Sequence, residues 1–175
     1  IGNGCNGLIR AVAVDAGGQV FAGGGFTQCG TVVANNVARF DTTTQTWSSL
    51  GSGAANGVNG EVSAIAIAGS DVYVGGFFTH AGGATANGVA RYNTSTQTWS
   101  SLGAGAANGV GGSSPPAVAA LAVAGSDVYV GGSFTQAGGA VANRVARFNT
   151  TTQSWSSLGV GAANGVSNPV RALAI

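Results

Sequence analysis

The sequence predicts an all-β protein built from repeated four-stranded antiparallel units, and three observations support this prediction. The segment TQ(T/S)WSSLG occurs three times, and its tryptophans Trp47, Trp99 and Trp155 lie 52 and 56 residues apart. Short apolar runs rich in Val, Ala and Phe recur in the same phase, and each is bounded by turn-forming Gly, Asn and Ser. No apolar periodicity of helical spacing extends over a useful length.

Each unit divides into four predicted strands. The first is an apolar run that ends at a hairpin signal such as Ala68-Gly69-Ser70-Asp71, and the second carries a Gly-Gly pair. The third reads VARF or VARY, and a turn of Asn and Thr joins it to the fourth, which carries the Trp. Four short strands in about 50 residues are typical of a β-propeller blade. The predicted first strands are Ile9–Val14, Val62–Ile67, Val118–Val123 and Val170–Ile175.

The domain organisation follows from this phase. We expect blade 1 at about 8–50, blade 2 at about 61–102, blade 3 at about 117–158, and an extra first strand at 169–175. Closed propellers need roughly four to eight blades, so three blades do not close a ring. We therefore expect either a segment of a longer array or copies that associate, and the surplus strand favours a longer array or an open head-to-tail polymer over a closed two-chain ring. The residues offered for strand exchange are Val170, Ala172, Leu173 and Ile175.

The spacing within each unit resembles a known repeat. A Gly-Gly pair precedes an aromatic residue, and the Trp follows seven positions after that aromatic residue. These residues are Gly23-Gly24, Phe40 and Trp47 in unit 1, Gly75-Gly76, Tyr92 and Trp99 in unit 2, and Gly131-Gly132, Phe148 and Trp155 in unit 3. The pattern is similar to the kelch repeats of secreted bacterial propellers of the kelch and galactose-oxidase-like group. The resemblance implies a propeller fold and leaves the function open, because such propellers have many roles.

Two cysteines, Cys5 and Cys29, both lie in the first unit. Cys5 precedes the first strand and Cys29 follows the second, so in an up-and-down blade both connections emerge on the same side. We expect a disulfide and an oxidising compartment, with two separate thiols as the alternative. Two Cys and the single His80 cannot complete a tetrahedral zinc site.

Composition argues against several functions. The net charge is +1, and all six basic residues are Arg without a basic run, so we expect no nucleic-acid partner. No apolar run of 18 residues exists, so we expect no membrane-spanning helix. Five scattered acids and one His supply no catalytic triad, carboxylate pair, calcium cage or copper site. We expect neither a cofactor nor a metal, and no enzymatic activity.

The recurring large residues are predicted to pack the blades rather than bind ligands. Stacking on sugars is the alternative for the Trp residues, and a ligand site is the alternative for the Arg residues, which we expect to bond to Asp or to backbone carbonyls. The predicted packing residues are Trp47, Trp99, Trp155, Phe26, Phe78, Phe134, Arg39, Arg91 and Arg147. Two N-glycosylation sequons begin at Asn93 and Asn149, in predicted exposed turns.

The resulting functional hypothesis is an extracellular, non-catalytic structural module. The absence of Lys and the many Ser, Thr, Asn and Gln residues favour an extracellular surface. Low charge favours association, so copies are expected to build a fibre or surface layer by strand exchange. One alternative is a glycan- or protein-binding propeller domain that uses loops such as Thr79–Asn87. Another is the non-catalytic part of a larger enzyme.

Overall fold

The structure, a computed structural model, describes residues 4–112, 117–161 and 164–175. Three four-stranded antiparallel sheets follow one another along the chain, and in each the strands lie side by side in sequence order. The prediction of an all-β fold of four-stranded blades is therefore confirmed. The strands are Leu8–Val14, Val20–Gly25, Val37–Asp41 and Thr46–Ser49 in blade 1, Glu61–Ala68, Asp71–Phe77, Val89–Asn93 and Thr98–Ser101 in blade 2, and Val118–Ala124, Asp127–Gly132, Val145–Asn149 and Ser154–Ser157 in blade 3.

Short hairpins and turns that the sequence analysis did not predict complete each unit. A small hairpin, each of whose two strands has two residues, lies between the second and third strands of every blade. Single 3₁₀ turns at Gly53–Ala55 and Gly105–Ala107 lie in the GAANG loops that follow blades 1 and 2. The hairpins pair Gln28–Cys29 with Val32–Val33, His80–Ala81 with Ala84–Thr85, and Gln136–Ala137 with Ala140–Val141.

Local turn chemistry sets the strand ends. Ala68 pairs directly with Asp71 across a two-residue turn, and Gly69 adopts the positive φ of 56° that this turn needs. In the turn between the third and fourth strands, the Asn93 Oδ1 accepts hydrogen bonds from the backbone N–H groups of Ser95 and Thr96. Blade 3 repeats this turn from Asn149, and blade 1 makes it from Asp41. Side-chain oxygens thus satisfy backbone donors that the ladder leaves unpaired.

Glycines on the second strands allow neighbouring blades to approach closely. A Cβ on Gly23 would lie 2.4 Å from Val62 Cγ1, and one on Gly75 would lie 2.4 Å from Val118 Cγ1. Both valines belong to the first strand of the next blade and are fully buried. The first strands of adjacent blades contact one another. They therefore lie at the inner edge of the blade array, and the Trp strands lie at its outer edge.

The hydrophobic core lies between blades. One cluster joins blades 1 and 2 around Phe21, Leu50, Val62 and Phe78, and a second joins blades 2 and 3 around residues such as Phe134. A smaller third cluster in blade 1 consists of Phe26, Cys29, Ala34 and Ala38, with Cys5 and Trp47 packed against it. The two larger clusters therefore need a neighbouring blade, whereas the third forms within the first repeat.

The segment 169–175, named the tail below, differs from the prediction. We expected an extra first strand there, but the structure assigns it no strand and it pairs with none of the described strands. A first strand is held by hydrogen bonds from a second strand, as Val20–Gly25 holds Leu8–Val14 in blade 1. Among the described residues no such strand lies beside the tail, so its apolar sequence alone does not form a ladder.

Candidate functional site

The two internal blade boundaries are built by the same contacts. The Trp99 indole N–H donates a 2.9 Å hydrogen bond to the Leu50 carbonyl oxygen of the preceding blade, and Trp155 donates a 3.0 Å bond to that of Leu102. Each carbonyl also accepts a 2.8 Å bond from a loop N–H, that of Gly57 or Gly109. Both carbonyl lone pairs are therefore used at each closed boundary.

The three Trp rings lie in equivalent places. Each packs at a tilt against the cross-strand aromatic residue of its own blade, with ring centroids 5.1–5.2 Å apart. Gly82 and Gly138 lie so close to the faces of Trp99 and Trp155 that an added Cβ would fall 2.5 and 2.6 Å from the Trp Cβ. These rings thus contact protein rather than standing open as platforms for a sugar.

The Asn residues that precede each Trp by 12 positions make the same hydrogen bond in all three blades. The Asn35 Nδ2 donates to the Asn56 carbonyl oxygen at 3.0 Å, and Asn87 donates to that of Asn108 at 3.1 Å. In blade 3, Asn143 makes the same bond to Asn164. These amides fix the GAANG loops. The sequence signal was the constant spacing to Trp, but it did not reveal the partner.

Blade 1 presents a face that the other blades bury. Its first strand exposes apolar side chains: 65% of Leu8, 45% of Ile9, 60% of Val12 and 58% of Val14 are accessible. The Trp47 indole nitrogen is buried and has no hydrogen-bond partner among the described residues, whereas its counterparts in blades 2 and 3 each have a carbonyl. We call these five residues the open face of blade 1.

Blade 3 has the carbonyl acceptor that corresponds to the indole donor of blade 1. The Leu158 carbonyl oxygen accepts the loop N–H of Gly165, and within the described ranges no indole donates to it. Leu158 is 38% exposed, although Leu50 and Leu102 are 1% exposed at the closed boundaries. We call the surface formed by Leu158 and Gly131 the open face of blade 3.

The tail lies against this open face instead of extending away from it. Val170 Cγ1 and Leu173 Cδ1 lie 2.5 and 3.4 Å from the position of a Cβ on Gly131, as Val118 and Leu121 do at Gly75. Of the predicted strand-exchange residues, Val170 and Leu173 are half-buried, whereas Ala172 and Ile175 are exposed. The expected unpaired strand is therefore corrected to a non-strand segment whose apolar side chains already contact blade 3.

The predicted disulfide between Cys5 and Cys29 is present. The two residues are also antiparallel bridge partners, at the position where Val58 pairs with Ala81 in blade 2. The bridge covalently joins the segment before the first strand to the hairpin of blade 1.

The recurring Arg residues bond within their own blades. Arg91 and Arg147 each donate Nε–H to a Ser hydroxyl and pair with Asp71 and Asp127 at 3.5 and 3.3 Å. Arg39 donates to the Ser48 hydroxyl, and no acid lies within ion-pair distance of it in the described part of the chain. These pairs are partly exposed, so each contributes at most about 1 kcal/mol.

Two titratable groups have shifted pKa values. The hydrogen bond from the Thr44 backbone N–H is the main cause that lowers the pKa of the Asp41 carboxyl; desolvation opposes it, and the Thr43 backbone N–H lowers the pKa further. Partial burial, and then the Asp71 carboxylate, raise the pKa of the Tyr73 phenol. Over the residues that the structure describes, no three His, Cys, Asp or Glu side chains cluster as a metal site.

The amides of both sequon asparagines are engaged in the protein. Asn93 Nδ2 donates to Asp71 Oδ1 at 2.6 Å, and Asn149 Nδ2 donates to Asp127 Oδ1 at 2.7 Å. Both residues are half-buried rather than fully exposed. The atom that a glycan would modify therefore already holds the second strand to the third.

Two clefts lie between blades 1 and 2. One has a volume of about 360 Å³ and is lined by Arg39, Ser48, Tyr92 and Gln97, among others. The other, of about 340 Å³, is lined by Asn-rich loops and His80. The equivalent of the first cleft between blades 2 and 3 has only about 50 Å³.

Comparison with known proteins supports the fold. A family model described as a domain of unknown function (DUF5122) beta-propeller matches residues 18–43, 71–95 and 127–151, one segment in each blade. No curated protein sequence matches the chain. The fold and this match define the chain as a β-propeller domain.

Solved structures agree with this class. A computationally designed protein, Ika4, matches with a TM-score of 0.58 and 18% identity over 100% of this chain and 84% of its own length. The extracellular domain of a protein described as a one-component system of B. thetaiotaomicron matches with a TM-score of 0.57 and 12% identity, over 95% of this chain and 19% of that one. No described helix reaches the length and hydropathy needed to span a membrane.

Proposed function

We propose that this chain is an extracellular, non-catalytic assembly module whose three blades associate with further blades across their open faces. The observation that supports this most directly is the buried Trp47 indole N–H on the fourth strand of blade 1, which has no acceptor among the described residues; the first strand of the same blade also exposes four apolar residues. A buried donor without a partner is costly, and an adjoining blade supplies the missing carbonyl. Partners are then further copies of the chain or further blades of the same repeat.

A non-catalytic role is supported by what the potentially reactive residues already do. Asp71 and Asp127 pair with Arg and with sequon amides, and Asp41 holds a turn. His80 is exposed, and its Nδ1 lies 3.0 Å from the Thr79 hydroxyl. These four groups serve the fold, and in the part of the chain that the structure describes they form no acid–base pair with one another.

An extracellular location and membership of the kelch-like bacterial group belong to the same proposal. The disulfide supports an oxidising compartment, and one similar structure is an extracellular domain. The spacing of the Gly-Gly pair, aromatic residue and Trp supports the kelch-like group. Fibre growth by strand exchange receives less support, because the tail is not an available strand.

Sedimentation velocity of the purified 175-residue chain tests this function. We expect the mass to rise from one chain to an assembly as the concentration increases from micromolar to about millimolar. A mass of one chain over the whole range contradicts the proposal.

A second candidate, glycan or protein binding, is favoured by the 340 Å³ cleft beside His80. The equivalent positions are Gln28 and Gln136, so His80→Gln reproduces a side chain that the other blades accommodate. If this cleft binds glycans, His80→Gln weakens binding on a glycan array without changing the unfolding midpoint. Identical array profiles for both proteins argue against the second candidate.

A further inference from the structure

We propose that the cleft lined by Arg39, between blades 1 and 2, binds an acidic sugar of the hexuronic acid class. The Arg39 guanidinium binds the sugar carboxylate, and neutral polar groups of the cleft bind the sugar hydroxyls. This inference goes beyond the proposed assembly function, because the cleft lies between two blades of one chain and not on an open face. The site is also separate from the cleft beside His80.

The guanidinium groups of the three blades differ in their partners. In blade 2, Arg91 pairs with Asp71 at 3.5 Å, and blade 3 repeats this pair at 3.3 Å. Blade 1 has Gln19 at the position of the two acids. The Gln19 amide oxygen is buried and has no hydrogen-bond partner among the described residues, so it does not take the place of a carboxylate beside Arg39.

No other acid of the chain pairs with Arg39. All five acidic residues lie in the described ranges, and none is within ion-pair distance of Arg39. The Thr44 backbone N–H is the main cause of the lowered pKa of Asp41, and the Arg39 charge adds to it, but the Asp41 carboxylate already accepts two N–H groups of its turn. Arg39 donates its Nε–H to the Ser48 hydroxyl at 3.3 Å, and its terminal nitrogens have no partner among the described residues. A guanidinium fork in this state suits a carboxylate.

The space beside the guanidinium also differs between the blades. The cleft at Arg39 has a volume of about 360 Å³, within the range of roughly 300–1,000 Å³ that is typical of small-molecule sites. The equivalent cleft at Arg91 has only about 50 Å³. There Tyr73 takes the place of Phe21, and burial and then the Asp71 carboxylate raise the pKa of its phenol while Arg91 lowers it. A phenol and a carboxylate of the protein thus lie beside Arg91, whereas Arg39 faces an open cleft.

The neutral polar groups of the larger cleft are available to a ligand. Tyr92 and Gln97 line it, and neither side chain makes a hydrogen bond within the described residues. At the smaller cleft the corresponding residues are Phe148, which has no hydroxyl, and Gln153, whose amide donates to a backbone carbonyl oxygen at 2.6 Å. A free guanidinium, phenol and amide around one cleft match a small molecule that carries both a carboxylate and hydroxyl groups, which is an acidic sugar.

The test titrates the isotopically labelled 175-residue chain with sodium galacturonate and follows the arginine Nε–H signals by NMR. We expect the Arg39 signal to shift with a Kd of about 1 mM, while the signals of Arg91 and Arg147 stay in place. Galactose, which lacks the carboxylate, should bind about tenfold more weakly or worse, because the charge-assisted bonds to the guanidinium are lost. Tighter binding of trigalacturonate than of galacturonate would identify the ligand as a unit of a polysaccharide, and the reverse would identify a free sugar acid.

Two matched double variants test the role of the missing acid. Gln19→Asp with Asp41→Asn rebuilds the polar set of blade 2, in which Asp71 pairs with the Arg and faces Asn93 across the ladder. The new carboxylate of the protein then occupies the Arg39 guanidinium, so we expect about tenfold weaker binding of galacturonate or worse. Gln19→Asn with Asp41→Asn is the control, because it has nearly the same shape without the charge, and it should bind no more weakly than wild type.

A second pair of variants tests the guanidinium itself. Arg39→Gln should weaken binding about tenfold or more, whereas Arg91→Gln should leave the Kd unchanged because Arg91 is already paired. Thermal unfolding of each variant checks that it is folded. Equal affinity for galacturonate and galactose, equal affinity of the two double variants, or no shift of the Arg39 signal up to about 100 mM galacturonate would each overturn the inference.

These outcomes are independent of the proposed function. A chain that associates but does not bind galacturonate keeps the assembly function and loses this site. A chain that binds galacturonate and remains a single chain at every concentration keeps the site and contradicts the assembly function.

Discussion

Blade 1 and blade 2 have nearly the same sequence plan, yet their tryptophans are in different states. Trp99 donates to a carbonyl of the preceding blade, whereas the Trp47 indole nitrogen is buried without an acceptor in the described structure. The first strand of blade 2 buries Val62 completely, whereas that of blade 1 exposes Ile9. The difference shows that a blade in this fold is completed by its neighbour rather than by its own sheet.

The anchoring of the hairpin differs in the same way. In blade 2 the hairpin residue Ala81 pairs with Val58, which belongs to the loop that follows blade 1. In blade 1 the corresponding pair is the disulfide of Cys5 and Cys29. The covalent bond thus replaces, in blade 1, the restraint that a preceding blade provides to the other hairpins.

The largest effect is expected at a closed boundary. Trp99→Ala removes a large side chain packed on Gly82 and its bond to Leu50, so we expect a loss of about 3–5 kcal/mol in the free energy of unfolding. Trp47→Ala should cost clearly less, because the Trp47 indole N–H has no acceptor among the described residues and so no inter-blade bond is lost. Urea unfolding followed by fluorescence measures both. A cost below about 1 kcal/mol for Trp99→Ala would show that the ring is not a core residue.

The next largest effect tests the disulfide. The double variant Cys5→Val with Cys29→Ala recreates the Val58 and Ala81 pair of blade 2, so packing is preserved and only the covalent link is lost. We expect a loss of roughly 3 kcal/mol, because the link closes a loop across a separation of 24 residues.

Chemical denaturation of this double variant, with reduced wild type as the control, measures the effect. Equal stability of the oxidised wild type and the variant would mean that the disulfide stabilises the fold no more than a Val–Ala contact at the same place.

A smaller effect on stability is expected when Gly75 or Gly131, the equivalent glycines of blades 2 and 3, is replaced by Ala. Gly75→Ala forces a methyl group against the buried Val118, so we expect a cost of about 1–3 kcal/mol. Gly131→Ala meets Val170 of the tail at a similar distance, but the tail can move, and a cost below about 0.5 kcal/mol is expected. Thermal unfolding of both variants distinguishes them. A similar loss for the two would mean that the tail is as firmly held as a blade strand.

The smallest effect concerns acid. The pKa of Asp41 is lowered in the folded state, so its contribution to stability is present above the ordinary pKa of the carboxyl and is lost as the pH falls through the lowered value. Asp41→Asn copies the residues of blades 2 and 3 and removes this dependence. Unfolding midpoints at pH 6 and pH 3 should differ slightly more for wild type than for Asp41→Asn. An equal change of midpoint in the two proteins would contradict a stabilising role for the Asp41 carboxylate.

Much of the fold was predictable because its signals are local. The apolar runs, the Gly69-Ser70 turn and the Asn-Thr turns encode strands and hairpins within a few residues. The disulfide was predictable from the position of each Cys within the repeat. The role of Asn35 was not, since its partner, the Asn56 carbonyl oxygen, lies in a loop 21 residues away.

The sequence by itself determined the blade: its four strands, its turns and the phase of its repeats, since each depends on neighbours along the chain. Only the tertiary structure decided which blades are complete. Whether the tail forms a strand, and whether a Trp indole finds a carbonyl, depends on a second strand or second blade lying beside it. Hydrogen bonding and burial between sheets are pairwise properties, and a repeat sequence describes only one member of each pair.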